Sequence, residues 1–206
     1  SAHMSSPKLG LVLGPWHKAE VYLNHGQGFH SNDARGTTQP VDAVSPLVRT
    51  RASEVGVRWT VMPGWKSTLS LWQLKTASEL LFVGDAGTTE PSRPSRRTGL
   101  EWGHFVRVGQ HVALDADLSW SRARFTDGDA AGPFVPGAVT TTANLGITLD
   151  AWGPWSAAFR LRYFGPRPLL EDGSVQSASS LTCNLRVGYR VDARNRLSLD
   201  VFNVFN

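Results

Sequence analysis

The clearest feature of the chain is a period-two alternation of apolar and polar residues that recurs along its length. Residues 139–150 show it well, with one set of alternate positions that is mainly apolar: Val139, Thr141, Ala143, Leu145, Ile147 and Leu149. Side chains on a strand point alternately to opposite faces, so such a segment predicts a strand with one apolar and one polar face. Segments of this kind predict strands at residues 8–13, 18–29, 47–61, 66–83, 96–108, 111–126, 137–150, 154–164, 180–190 and 195–204.

The connections between the predicted strands alternate in length. Short turns fall at residues 14–17, 62–65, 108–110, 151–153 and 191–194. Long connections fall at residues 30–46, 84–95, 127–136 and 165–179. In a meander, successive connections lie at opposite ends of the sheet, so all short turns are expected at one end, as in outer-membrane barrels. The sequence predicts an all-β fold, an antiparallel up-and-down meander of about ten strands that is part of a transmembrane β-barrel.

One segment breaks the alternation. In the predicted strand 66–83, Leu69 and Leu71 share one phase, whereas Trp72 and Leu74 fall in the other. A β-bulge in this strand, or a portion of it that projects above the membrane, would account for the change of phase.

Strand phase assigns residues to the two faces of the barrel. The apolar set expected to face lipid includes Val112, Leu114, Leu118, Trp120, Leu145, Ile147, Phe159 and Leu161. The charged set expected to line the lumen, with cross-strand ion pairs, is Glu101, Asp115, Asp117, Arg160, Arg162, Arg186 and Asp200. A soluble sandwich would show the same alternation around a core. The tryptophans near short turns favour a membrane interface: Trp16, Trp65, Trp152 and Trp155.

Composition narrows the function classes. No apolar run is long enough for a transmembrane helix, although 41% of the residues are hydrophobic. The net charge of +4 comes from scattered rather than clustered basic residues, which argues against nucleic-acid binding. The single cysteine, Cys183, cannot form an internal disulfide or a zinc site. No paired nucleophile and base stands in a catalytic context, so neither an enzyme nor a cofactor is expected.

Four segments together resemble a known family. Residues 20–36, EVYLNHGQGFHSNDARG, resemble a barrel strand of TonB-dependent outer-membrane receptors that enters a large external loop. Residues 54–58 resemble the strand that follows such a loop, and residues 95–101 resemble a basic strand start with a Gly-x-Glu element. Residues 199–206, LDVFNVFN, resemble an apolar strand that ends in an Asn-x-Phe turn. The order and spacing of the four segments cover almost the whole chain.

The resemblance implies a barrel of about 22 strands that encloses a plug domain. It implies a receptor in the Gram-negative outer membrane that imports a scarce nutrient, foremost a ferric siderophore-type chelate, with energy from the TonB complex. The partners implied are outer-membrane lipid, a small-molecule or metal-chelate ligand, the plug domain of the same chain and TonB. Residues 1–4 are expected to be a cloning remnant and residues 5–206 a part of the barrel without its plug and terminal strand.

Ligand-binding candidates lie where the strand at 18–29 enters the long connection. His25 and His30 could contact a metal-bearing ligand, since imidazole suits iron, and Asp33 and Arg35 could meet a charged substrate. Two other functions remain open at this stage. One is a passive porin or small closed outer-membrane barrel, and the other is a soluble β-barrel or sandwich that binds a ligand.

Overall fold

The computed structural model of the chain describes residues 3–31, 45–78, 80–83 and 88–205. All regular elements within these residues are β-strands. The strands are β1 (Lys8–Trp16), β2 (Ala19–Ser31), β3 (Leu47–Met62), β4 (Trp65–Thr76), β5 (Leu80–Val83), β6 (Thr88–Pro91), β7 (Ser95–Val108), β8 (Val112–Phe125), β9 (Thr141–Trp152), β10 (Trp155–Phe164), β11 (Ser180–Arg190) and β12 (Arg196–Val201).

Ten strands form one antiparallel sheet with the order β1-β2-β3-β4-β7-β8-β9-β10-β11-β12. Strand β4 pairs with β7 because β5 and β6 form a separate two-stranded hairpin between them in the chain. The predicted ten-stranded antiparallel meander is confirmed. Its short connections all lie at one end of the sheet and its long connections at the other, as the alternation of loop lengths predicts.

Local chemistry explains the tight turns. The turn between β1 and β2 consists of His17 and Lys18, whose φ angles are 49° and 68°. Two successive positive φ angles are typical of a type I′ turn, whose twist matches that of the flanking strands. Gly64, with a φ of 83°, lies in the turn from β3 to β4, where the absence of a β-carbon removes the steric cost. These turns set the register of the strands that they join.

The predicted strand 66–83 is wrong in its second half, and the predicted bulge is absent. Lys66–Thr76 pairs in continuous register with β7. After Thr76 the chain leaves the sheet, and β5 belongs to the separate hairpin instead of extending β4. The partner of β5, strand β6, lies within residues 84–95, which were predicted to be a loop. Trp72 lies on the polar face without a bulge because Gly99 is opposite it. A β-carbon on Gly99 would lie 2.5 Å from Cζ2 of Trp72, so the glycine leaves room for the indole.

Three further strand bounds differ from the prediction by three residues or more. Strand β1 continues to Trp16 rather than ending at 13, so the first turn consists of His17 and Lys18 rather than residues 14–17. Strand β9 begins at Thr141 rather than at 137, because the backbone of the residues before it bonds within the long connections. The amide of Gly137 donates to the carbonyl of Pro168 at 2.8 Å, and the amide of Ala138 donates to the carbonyl of Val135 at 3.2 Å. Strand β12 ends at Val201 rather than near 204, and the amide of Val204 donates to the carbonyl of Cys183 at 2.8 Å.

Register separates an apolar from a polar face of the sheet. Across β8, β9 and β10, one row of register partners is apolar: Ala116, Leu145 and Leu161. The next row is polar: Asp117, Asn144 and Arg162. We call the two sides of the sheet the apolar face and the polar face.

The hydrophobic residues of the described part of the chain are mostly exposed. Five are buried: Val48, Ala123, Phe125, Val135 and Cys183. In contrast, 35 large hydrophobic side chains are exposed, including Leu145 at 39% and Trp120 at 51%. An uncovered apolar surface of this extent marks contact with another apolar medium or partner.

None of the described elements is a helix long and apolar enough to cross a membrane.

Candidate ligand-binding face and its loop cap

The polar face carries a cross-strand ion pair at the centre of the sheet. Asp115 on β8 and Arg160 on β10 form an ion pair across β9. Gly146 of β9 lies between them as register partner of both residues. A β-carbon on Gly146 would come within 2.5 Å of the Nη1 of Arg160, so the glycine provides the gap that the pair spans.

The other charged residues predicted for the lumen also lie on the polar face. Arg162 donates from Nε to the Oδ1 of Asn144 at 3.2 Å, and Asn144 is the register partner of Asp117. Arg186 and Asp200 are direct register partners and form an ion pair at 2.5 Å. Glu101, on β7, is exposed opposite Ser119. The sheet therefore places all seven predicted residues on one surface.

Aromatic side chains on this face were not among the sequence-predicted site residues. Tyr22 extends across Gly56, where a β-carbon would lie 2.7 Å from Cε1 of the ring, and its hydroxyl donates to the Oε1 of Glu54 at 3.3 Å. Trp72 covers Gly99 in the same way. In both cases a large aromatic residue of one strand lies opposite a glycine of the next strand on the polar face. Comparing the sequences of neighbouring strands for this combination would have identified the two aromatic residues.

The structure separates the two predicted ligand contacts that lie among the described residues, His25 and His30. His25 lies on the apolar phase of β2, where its Nδ1 is 2.8 Å from the Oγ of Ser53. His30 lies on the polar phase, and its buried Nε2 has no hydrogen-bond partner among the described residues. Their spacing of five residues places the two imidazoles on opposite faces of the strand. Asp33 and Arg35 lie outside the described residues.

The β8–β9 connection (residues 126–140) and the β10–β11 connection (residues 165–179) contact each other at one end of the sheet. We call this structure the loop cap. Its centre is Arg93, just before β7, whose side chain is 17% exposed. The guanidinium donates from Nη1 to Glu171 at 2.6 Å, and from Nη2 to Asp127 at 2.6 Å and to the carbonyl of Gly132 at 3.0 Å.

Apolar packing supports the Arg93 contacts. The guanidinium lies 4.3 Å from the centroid of the Phe125 ring. Phe125 belongs to a small buried cluster with Ala123 and Val135, of which Val135 is 1% exposed. The amide of Phe134 donates to the carbonyl of Glu171 at 2.9 Å, which joins the two connections directly. The loop cap is therefore a packed unit with its own core.

The folded structure of the loop cap is expected to persist in mild acid. Chiefly through its hydrogen bond, Arg93 lowers the pKa of Asp127 from 3.8 to about 2. Because the pKa is lower in the folded state, the stabilisation is complete above the unfolded value and is lost as the pH falls through about 2. Hydrogen exchange of residues 126–140, corrected for intrinsic rates, should stay constant from neutral pH to about pH 4. An opening transition already near pH 5 to 6 would contradict this assignment (about one to two units above the unfolded pKa).

The described residues contain no group of three or more His, Cys, Asp or Glu side chains that could hold a metal ion. The ion pairs, amides and aromatic rings of the polar face and the loop cap instead suit a ligand that is bound by hydrogen bonds, charge and stacking.

Comparisons with known proteins agree with this geometry. The family model of the TonB-dependent receptor-like β-barrel matches residues 1–206. The chain superposes on the ferric yersiniabactin uptake receptor FyuA from Yersinia pestis with a TM-score of 0.76 and 19% identity, over 97% of this chain and 32% of that one. No curated protein gives a significant match.

Two further solved structures show the same fold. The ferric-catecholate import receptor Fiu from K12 E. coli has a TM-score of 0.72 and 19% identity, over 96% of this chain and 30% of that one. The copper transporter OprC has a TM-score of 0.72 and 18% identity, over 96% and 33%. The chain thus spans about a third of the length of these proteins. The match of the family model to the whole chain, together with the ten-stranded meander, shows that this chain belongs to the TonB-dependent receptor-like β-barrel family.

Proposed function

We propose that the chain is part of the barrel wall of an outer-membrane receptor that imports a metal chelate, foremost a ferric siderophore-type chelate, with energy from TonB. The main observation behind the proposal is that a ten-stranded barrel wall and a packed loop cap occur together in this chain. Ligand-binding residues commonly lie in loops that a rigid scaffold holds in position. A metal or metal-chelate substrate is supported by the solved relatives, which are a ferric yersiniabactin receptor, a ferric-catecholate receptor and a copper transporter.

In this proposal the apolar face meets lipid and the polar face lines the lumen. The polar face has the composition of a lumen wall, because it carries three cross-strand ion pairs and several of its glycines are covered by aromatic or polar neighbours. Of the predicted set, Glu101, Asp117 and Arg162 have no ion pair among the described residues, and Arg162 donates to Asn144. Glu101 and Asp117 are therefore the members that remain available to a plug domain or a ligand.

The external binding surface is proposed to include His30 and the connection that follows β2, with Asp33 and Arg35. His30 lies on the polar face near this connection, and its buried Nε2 has no hydrogen-bond partner among the described residues. His25 is left out of this set because its side chain lies on the opposite face. Deleting the connection should therefore weaken chelate binding, whereas a His25→Ala variant should retain it.

Uptake measurements test the transport proposal. The complete receptor, expressed in a strain that lacks its own chelate receptors, should take up a radioactive ferric siderophore. Collapse of the proton gradient should abolish this uptake, since a plugged importer needs energy to open. Expression of the 206 residues alone should restore no energy-dependent uptake. Uptake by the complete receptor that persists without the gradient would favour a passive pore.

A further inference from the structure

His104 is an ionisable residue among apolar rows of the apolar face. It lies on β7 in one register row with Trp59, Ser67 and Ala116 of the neighbouring strands. The adjacent row toward the long connections consists of Leu69, Trp102 and Leu118. The adjacent row toward the short turns consists of Trp65, Val106 and Leu114. An ionisable side chain within a membrane-facing surface is rare and commonly functional.

Two tryptophans and a serine hold the imidazole of His104 in place. The indole Nε1 of Trp65 donates to the Nδ1 of His104 at 3.3 Å. The ring of Trp102 packs edge to face against the imidazole, with 4.6 Å between the two centroids. Ser67, the register partner of His104, is 1% exposed and donates its hydroxyl to the carbonyl of Gly103 at 3.3 Å. These contacts fix the orientation of the imidazole on the sheet.

The hydrogen bond from Trp65 determines the tautomer of His104. An indole N–H can only donate, so Nδ1 accepts and the proton of the neutral ring lies on Nε2. Nε2 is then a donor, and none of the described residues accepts from it. The side chain is partly exposed, so this donor faces whatever covers the apolar face. A donor without a partner in an apolar medium is costly, which favours a covering molecule that carries an acceptor.

The depth of His104 matches the polar part of the leaflet at the short turns, the periplasmic leaflet in the proposed orientation. Its register partner Ser67 lies three residues from Gly64 in the turn between β3 and β4. Three residues of strand span about 10 Å, which a tilt of about 45° reduces to a height of about 7 Å. Trp65 lies between His104 and the turn, and tryptophans are enriched at the edge of the hydrocarbon region. His104 is therefore within reach of the ester and phosphate oxygens of a lipid.

We propose that His104 binds a glycerophospholipid of the periplasmic leaflet, with Trp65 and Trp102 as positioning residues. The Nε2 of His104 donates to an ester carbonyl or phosphodiester oxygen, and the acyl chains lie on the adjacent apolar rows. The occupant is a phospholipid rather than a soluble anion because the three rows contain no Lys, Arg, Asp or Glu. This inference rests on the proposed orientation of the apolar face toward lipid and not on import of a chelate.

Native mass spectrometry of the complete receptor in a maltoside detergent tests this proposal, with dioleoyl phosphatidylethanolamine as the probe. H104L should raise the lipid concentration at half-saturation about threefold to tenfold, since one hydrogen bond is lost. H104Q keeps an N–H donor and should restore most of the affinity, which a merely structural role of the imidazole does not predict. The matched control is H25L, the same substitution on the apolar face at the end of the long connections, which should leave binding unchanged.

Two lipid analogues identify the acceptor. If the ester carbonyl accepts, the diether analogue should bind the unaltered receptor as weakly as the diester binds H104L. If the phosphodiester accepts, dioleoylglycerol should bind that weakly instead.

Equal affinity of H104L and H25L for the phospholipid would overturn the proposal, as would failure of H104Q to restore binding or tight binding of both analogues. Dimerisation of the receptor in detergent that H104L abolishes would also overturn it and would assign the donor to a second copy of the chain. A receptor that fails to import a chelate would still bind the lipid, so the two proposals fail separately.

Discussion

Leu145→Arg is expected to destabilise the receptor in a bilayer by about 2–4 kcal/mol, the cost of a cation on the lipid face of a barrel at the membrane midplane. Leu145 is the register partner of Ala116. Ala116 is central on the apolar phase of β8, which runs through Val112, Leu114, Ala116, Leu118 and Trp120. The side chain of Leu145 is 39% exposed, so no covering residue would shield the new charge from lipid. Denaturant-dependent folding of the complete receptor into phosphatidylcholine vesicles measures the difference.

The adjacent residue supplies a control at the same depth. Asn144→Arg places the same charge on the polar face, opposite Asp117. It replaces the contact from Arg162 with a like charge opposite that residue, a cost of about 0.2–1 kcal/mol. The new guanidinium also meets the Asp117 carboxylate and stays in a polar environment, so the total cost should be clearly smaller. Equal penalties for the two variants would show that the apolar face does not meet lipid. A larger penalty for Asn144→Arg would reverse the proposed orientation of the sheet.

The strands of the sheet could be predicted because each face imposes one polarity on alternate residues. Strands β8 and β10 are examples, since their whole length lies between two different environments. Strand β9 could be predicted only in part. The alternation continues upstream of Thr141, but the amides of Gly137 and Ala138 donate to the carbonyls of Pro168 and Val135 instead of extending the ladder. Period-two patterning specifies a side-chain phase and does not specify which backbone groups pair.

The candidate site could be predicted where the even or odd position of a residue along its strand determines its face. This alternation places Asp115, Arg160 and the other charged residues of the predicted set on one face, as the structure does. The same rule separates His25 from His30, although their common position beside a long connection suggests one site. Arg93 could not be predicted, because Asp127 and Glu171 lie 34 and 78 residues away in the chain. The contact between Trp65 and His104 likewise depends on the register of β4 and β7, which no local pattern specifies.

Gly132→Ala is expected to open the loop cap. Gly132 has a φ of 117°, which residues with a β-carbon rarely adopt, and such strain costs about 1–3 kcal/mol. A β-carbon there would also lie 2.6 Å from the backbone Cα of Asp172 in the other connection. Backbone cannot move aside without separating the two connections. The carbonyl of Gly132 would then lose its bond from Arg93, and Phe134 its bond to Glu171.

Gly128→Ala is the matched control for this prediction. Gly128 lies in the same connection and also has a positive φ, 74°, but a β-carbon there would meet no atom within 4 Å. Hydrogen exchange of residues 126–140 and 165–179 in the complete receptor should increase strongly in Gly132→Ala and little in Gly128→Ala. If the loop cap contributes to ligand binding, chelate affinity should fall in the same order. Equal exchange in the two variants would mean that the contact between the connections does not hold the loop cap closed, and that backbone strain alone determines its stability.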